Sequence, residues 1–303
     1  MQVRNLEAAK ICGVVVTYFP PVDIASRLAR IARQVDTFVV VDNSVSSDVS
    51  ALLVLAAEKI GAKLVTNPIN VGIARALNQG IDFARTSGAD WVLFFDQDSE
   101  PNESLRADFD RVFATYSEAQ PLGIIGCNYF LAGHPSPRYP TRAAGGKNYN
   151  PITSVITSGS AYATEMLSNL GPFKDEYFID CVDTEYCWRA RTRGYAVCIT
   201  TKPLIMHTIG APTSHRFLGR SLTTWNHPAV RRYFIGRNNI LLFREYFLRL
   251  PDESFDLLVY ILKTALKISV SEQGRLKKLS YLVRGIWHGM RNRMDSAPQE
   301  LRR

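Results

Sequence analysis

Asp90-Trp91-Val92-Leu93-Phe94-Phe95-Asp96-Gln97-Asp98-Ser99-Glu100-Pro101 is a run of large apolar side chains that breaks into two carboxylates one residue apart. It reads as a buried strand that delivers acids to the edge of a sheet. Two carboxylates so placed can hold a hard divalent cation against a phosphate. The same residues can also end a strand and cap the helix that follows.

Upstream the pattern repeats. Ile11 to Tyr18 is a short, β-branched run stopped by Phe19-Pro20-Pro21, and Thr37 to Val41 is another, ending in Asp42-Asn43-Ser44. Between them Ile24, Leu28, Ile31 and Val35 recur at helical spacing. Asp48 to Ile60 reads as a helix ended by Gly61, Ala62 to Thr66 as a strand, and Ile73 to Ala84 as a third helix. Four strands alternating with three helices predict an α/β fold with a mostly parallel sheet flanked by helices. In such sheets the ligand lies beyond the carboxyl ends of the strands, where Thr17, Asp42, Asn43, Asn70, Asp96, Gln97 and Asp98 all fall.

Downstream, Asn102 to Ser117 reads as a helix, Leu122 to Phe130 as a strand and Gly133 to Pro151 as a long loop. Thr157-Ser158-Gly159-Ser160 precedes an expected helix from Ala161 to Leu170, and Cys181 to Arg193 leads to a strand over Tyr195 to Thr200. Past about Gly210 the expectation is of long helices. This divides the chain into a catalytic domain over 1–210 and a basic, mainly helical region over 211–303.

Charge follows the same division. Residues 211–303 carry 17 Lys and Arg against 7 Asp and Glu, although the whole chain of 303 residues has a net charge of only +8. Such a surface suits anionic lipid, a phosphorylated small molecule or nucleic acid. The tail lacks the interleaved aromatics of an RNA-binding motif, so nucleic acid is set aside. Five cysteines without a Cys-x-x-Cys pair, no apolar signal core and no long uncharged apolar segment point to a reduced, cytosolic setting.

Two further groupings carry chemistry. In Asn70-Val71-Gly72-Ile73-Ala74-Arg75-Ala76-Leu77-Asn78, the Asn and Gly would form a turn, and Arg75 and Asn78 share one face of the next helix. In Asp180-Cys181-Val182-Asp183-Thr184-Glu185, Asp183 stands at the start of a helix as either a cap or a proton acceptor.

Taken in order, Val16-Thr17-Tyr18-Phe19-Pro20, Val41-Asp42-Asn43-Ser44, Asn70 to Gly80, Phe95-Asp96-Gln97-Asp98 and Asp183 to Arg189 resemble the inverting family-2 glycosyltransferases of GT-A fold. Within that family the chain is most similar to bacterial rhamnosyltransferases; Arg232-Tyr233-Phe234 and Arg237-Asn238-Asn239 extend the likeness into the tail. The resemblance implies that Asp42, Thr17 and Asn43 receive the base and ribose, and that Asn70, Arg75, Asn78 and Gln97 flank the donor. Asp96 and Asp98, with His207, would bind Mg2+ or Mn2+ and the diphosphate, and Asp183 would be the general base. Ser158, Gly159, Asp180, Glu185, Arg232 and Arg237 are candidate diphosphate or acceptor contacts. The implied activity is transfer of L-rhamnose from dTDP-L-rhamnose to a hydroxyl of a lipid-linked, O-antigen type glycan at the inner face of the cytoplasmic membrane. The tail would make the membrane contact or a homodimer. A UDP-hexose or UDP-galactofuranose donor is the alternative within the class, and a non-catalytic sugar-nucleotide binding module the alternative outside it. A dinucleotide-dependent oxidoreductase would need a Gly-x-Gly-x-x-Gly turn after the first strand, where Thr17-Tyr18-Phe19-Pro20 stands instead.

Overall fold

Strand β1 (Ile11–Thr17) is the axis of the first half of the chain, and every one of its residues is buried. It pairs in parallel with β2 (Thr37–Asp42) on one side and β4 (Trp91–Asp96) on the other, and β2 pairs in parallel with β3 (Lys63–Thr66). The crossovers are α1 (Ile24–Ala32), α2 (Ser47–Ile60) and α3 (Ile73–Thr86). Helix α1 turns Ile24, Leu28 and Ile31 inward, the spacing that identifies it in the sequence. Helix α2 ends on Gly61 at φ 65°, a left-handed cap that a side chain would resist. Alternation of strand and helix thus produces the expected parallel half-sheet. The computed structural model describes residues 9–131, 136–142, 144–207, 213–217, 220–224 and 226–294.

The second half of the sheet is mixed. Strands β5 (Glu100–Pro101), β6 (Leu122–Leu131), β7 (Tyr149–Pro151), β8 (Ser160–Ala163) and β9 (Ala196–His207) complete it, with α4 (Leu105–Thr115), α5 (Thr164–Leu170) and α6 (Val182–Thr192) between them. Among the described residues the main path runs β3-β2-β1-β4-β8-β6-β9-β5, and β7 pairs with β9. The expected helix from Ala161 is corrected here: Ser160–Ala163 is a strand inserted antiparallel between β4 and β6, and the helix starts only at Thr164. Ala161 and Tyr162 are fully buried there, and the ladder bonds from two neighbours outweigh the helical tendency of a four-residue stretch. β9 also runs past Thr200 to His207, through register shifts against β6 that accommodate Pro203. The loop expected over 133–151 includes β7 at its end, while residues 132–135 and 143 lie outside the described residues.

Contacts divide the chain into two compact units, residues 1–173 with 186–208, and residues 174–185 with 209–303. The segment 174–185 therefore clusters with the C-terminal region rather than with the expected catalytic domain. That region opens on a hairpin, β10 (Thr213–Phe217) and β11 (Arg220–Thr224), where helix was expected. It continues as α7 (Ala229–Tyr246), α8 (Pro251–Ser271) and α9 (Arg275–Met290). Ile235, Ile268 and Leu282 form its apolar centre. Helices α7 and α9 approach closely: a Cβ at Gly285 would lie 2.1 Å from the Tyr233 carbonyl oxygen, and one at Gly289 2.7 Å from that of Arg237.

Beside this contact, Glu272 is fully buried between Arg232 and Lys278, with Lys278 Nζ 3.0 Å from its Oε2. Removing one member of such a group strands the other charges in the interior, which costs about 3–5 kcal/mol. Glu272→Ala is therefore expected to lower stability by about that amount in urea denaturation. Glu118→Ala, which breaks the exposed pair with Lys147, should leave the midpoint unchanged; equal effects would remove the ion triad from the account of this unit's stability.

Candidate active site

Parallel register places three of the expected residues at one edge. Thr17 is the register partner of Asp42, and Asp96 that of Val16, so the carboxyl ends of β2, β1 and β4 present a hydroxyl and two acids in adjacent positions. Asp42 is completely buried. Its Oδ1 accepts from Thr17 Oγ1 at 2.7 Å, Ser44 Oγ at 2.6 Å and the Ser44 amide at 3.2 Å. Its Oδ2 is buried without a partner. Ser44 Oγ also accepts from the Phe19 amide at 2.8 Å, tying the exit of β1 to that of β2.

Around Asp42 the polar residues form supporting chains. Asn43 Nδ2 donates to the Gly72 carbonyl, and its Oδ1 accepts from Asn67, which is doubly bonded to Gln79. Asn70 Oδ1 accepts from the Gly72 amide at 3.0 Å, closing the turn before α3. Two expected donor contacts have other work. Gln97 grips the Tyr18 backbone, Oε1 accepting from its amide and Nε2 donating to its carbonyl. Asn78 does the same to Phe173 at 2.9 Å in both directions. Arg75, by contrast, is exposed on the first turn of α3.

Asp96 and Asp98 are half-buried. The Ser158 hydroxyl meets the Asp96 amide at 3.4 Å and Ser99 Oγ at 2.5 Å. Gly159, at φ 72°, donates its amide to the Phe94 carbonyl, and a Cβ there would fall 2.1 Å from Ile205. Ser158 and Gly159 thus brace the acidic turn. Arg27 braces it from the other side, donating to the Asp98 carbonyl at 3.0 Å and pairing with Glu100 at 2.8 Å. Arg27 lies 71 residues before Asp98 in the chain, and nothing in the local sequence of α1 marks it. Two half-buried carboxylates suit Mg2+ or Mn2+ by donor chemistry. No group of three or more His, Cys, Asp or Glu poised for a metal is found among the described residues. His207 ends β9, and its side chain lies outside the described residues.

The second unit builds a different device. Asp183 opens α6 and accepts from the Thr184 amide at 2.7 Å and hydroxyl at 3.3 Å. Burial, together with the nearby Asp180 charge, raises its pKa from the ordinary carboxylate value, the direction that suits a proton acceptor. The segment before it is held in unfavourable backbone: Phe178, Asp180 and Cys181 have φ of 59°, 66° and 62°. A single amide nitrogen, Asn238 Nδ2, donates to the carbonyls of Tyr177, Ile179 and Asp180 at 2.8–2.9 Å. Arg231 takes the Asp180 carboxylate in a fork, with its closest contact at 3.0 Å. A cavity of about 260 Å³ lies beside this segment, lined by Asp180, Cys181, Thr184, Ile235, Asn239, Leu257 and Tyr260.

Three of the expected contacts have partners within this unit. Glu185 is buried between Lys174 at 3.1 Å and the Tyr246 hydroxyl at 3.1 Å. Arg232 is taken by Glu272. Arg237 is fully buried, donating to the Glu176 and Met294 carbonyls and to Asn238 Oδ1, with Phe234 under its guanidinium. Each is an internal tie, because a buried charge needs fixed partners.

Residues 13–144 match the family model described as Glycosyl transferase family 2. A dTDP-rhamnosyl transferase of Shigella flexneri, RfbF, is 28% identical over 291 residues, covering 92% of this chain and 93% of that one. Among solved structures, TarS 1-349 of S. aureus is similar with a TM-score of 0.60 at 15% identity, over 95% of this chain and 83% of that one. Mannosyltransferase PcManGT from Pyrobaculum calidifontis, solved with GDP-Man and Mn2+, gives 0.56 at 16% identity, over 93% and 87%. The mixed sheet with its parallel β1–β4 half is accordingly the GT-A fold, and the acid-bearing edge of β1, β2 and β4 lies within the residues that match the glycosyl transferase family 2 model.

Proposed function

We propose that the protein transfers L-rhamnose from dTDP-L-rhamnose, with inversion, to a hydroxyl of a lipid-linked surface-polysaccharide acceptor. The observation that carries this reading is the register that aligns Thr17, Asp42 and Asp96 at one sheet edge. The named activity of the Shigella flexneri relative supports the choice of donor.

Asp42 Oδ2, buried and without a partner, is suited to the imide N–H of a thymine base. Asn43 and the Asn70 turn shape the neighbouring wall. Asp96 and Asp98, joined by His207, would hold Mg2+ or Mn2+ against the diphosphate. When bound, the cation neutralises charge growing on the leaving nucleoside diphosphate. Asp183 takes the proton of the acceptor hydroxyl while that oxygen forms its bond to the anomeric carbon. The bond from that carbon to the phosphate oxygen breaks on the opposite face, dTDP leaves, and one displacement inverts the centre. The polar cavity lined by Asp180, Asn239 and Tyr260 is suited to the hydroxyls of an acceptor sugar.

Asp183→Asn tests the base. A positioned general base contributes on the order of 10²–10⁴-fold, so kcat should fall at least about 100-fold while dTDP affinity is unchanged. The same variant should melt at a higher temperature at neutral pH. With its folded pKa raised, the stability Asp183 contributes is present at low pH and lost as pH rises through that pKa. The Asn advantage should therefore disappear below the ordinary carboxylate range. Normal turnover in the variant would refute the assignment.

Asp42→Asn should weaken dTDP binding by about 10- to 150-fold in calorimetry, the worth of a hydrogen bond to a charged group. Because the new amide can donate to N3 of cytosine, CDP should lose much less. Parallel losses for both nucleotides would argue against base contact at Asp42.

Chelation should stop sugar transfer by the native enzyme, and Mn2+ or Mg2+ should restore it. In Asp98→Ala the same additions should not. Transfer by Asp98→Ala in chelator at the native rate would eliminate the cation from the mechanism.

A further inference from the structure

We propose that the outer face of α9 is a docking surface for an anionic lipid bilayer. The helix has two faces of different character. The inner one, with Leu282, Gly285 and Gly289, lies against α7 so closely that a Cβ at either glycine would enter the α7 backbone. The outer one carries Leu276, Val283, Trp287 and Met290, which are 86%, 61%, 47% and 50% exposed. At about 100° per residue these four fall within about 60° of arc, on the side of the helix away from the glycines. This apolar stripe is therefore turned away from α7.

Its flanks are basic. Lys277, Arg284 and Arg291 border one side and Arg275 the other, all exposed, and α9 itself contains no Asp or Glu. Arg291 lies 3.9 Å from the Trp287 ring centroid, so a cation and an indole sit together at the margin of the stripe. An apolar stripe bordered by Arg and Lys, with Trp at the boundary, matches a bilayer interface: acyl chains beneath, anionic headgroups beside. Helix α8 also exposes Val259, Leu262 and Leu266, but Asp252, Glu253 and Asp256 crowd its first turns. Of these two helices, both of which carry lysines, α9 alone is free of acids. A second copy of the chain is a poorer occupant, since a two-fold contact through this face would set one basic flank against another. No helix among the described residues is long and apolar enough to cross a membrane, so the contact is peripheral. The inference rests on exposure and charge alone and is read without sugar transfer.

The test is sedimentation of the full chain with sucrose-loaded vesicles of phosphatidylcholine alone or mixed with phosphatidylglycerol. The protein should pellet with the mixed vesicles only, less so as salt is raised. Two surface variants, Val283→Glu with Trp287→Glu and Arg284→Glu with Arg291→Glu, should each reduce binding at least about tenfold with native circular dichroism and melting temperature. A protein that stays in solution with the mixed vesicles, or variants that bind as the native chain does, would overturn the proposal. So would a dimer in light scattering that the Val283→Glu, Trp287→Glu variant dissolves, which would assign the face to a second copy.

Discussion

The Asp42 carboxylate sets the condition that the sheet edge must meet. A fully buried carboxylate is tolerated only where donors replace the water it has lost, and here Thr17 and Ser44 supply three of them to one oxygen. Those donors come from the ends of two strands, so the hydrogen bonds exist only if β1 and β2 stop in register. A slip of one residue would turn Thr17 to the other face of the sheet and leave the acid bare. The same register carries Asp96 on β4 into line with Val16. The position of the acids is therefore a consequence of strand alignment, and the alignment is in turn enforced by the chemistry of Asp42.

The same economy recurs near Asp183. Of the seven described non-glycine residues with positive φ, Phe19 and Val45 flank the Asp42 edge, and Phe178, Asp180 and Cys181 precede Asp183. Such backbone costs about 1–3 kcal/mol per residue and persists only where the surroundings over-determine it. The over-determination is visible: Asn238 ties the carbonyls of Tyr177, Ile179 and Asp180, Arg231 holds Asp180, and Arg237 holds Glu176. Strain concentrated on the segment that leads into one half-buried acid is hard to explain as packing. It makes sense if the direction of Asp183 matters more than local comfort.

Legibility in the sequence followed the range of the interactions. The order β1-α1-β2-α2-β3-α3-β4 could be read because each element announces itself by periodicity and by caps such as Gly61 within a few residues. Asp42, Asp96, Asp98 and Asp183 could be read because acids at strand and helix ends are visible locally. The β8 strand could not, since Ser160–Ala163 owes its form to two neighbours distant in sequence. Gln97 and Asn78 illustrate the same limit. Both are amides at the expected edge, yet each is spent on a backbone segment, 79 and 95 residues away in sequence. Arg27 is illegible for the converse reason: it supports other residues, and support has no local signature.

The basic tail shows why a charge count must be divided by burial before it is given a meaning. Arg232, Arg237 and Lys278 belong to the surplus of the C-terminal third, but all three are buried and bound to Glu272 or to backbone carbonyls. They hold the helices together and contribute little to any outward field. Lys277, Arg284 and Arg291 differ from Lys278 in the side of α9 on which they stand. Helical geometry sorts the cations into the two classes, because glycine on one face draws α7 in and forces everything on the opposite face outward. The sign of the tail is written in its composition, and its direction emerges only from the packing of Gly285 and Gly289.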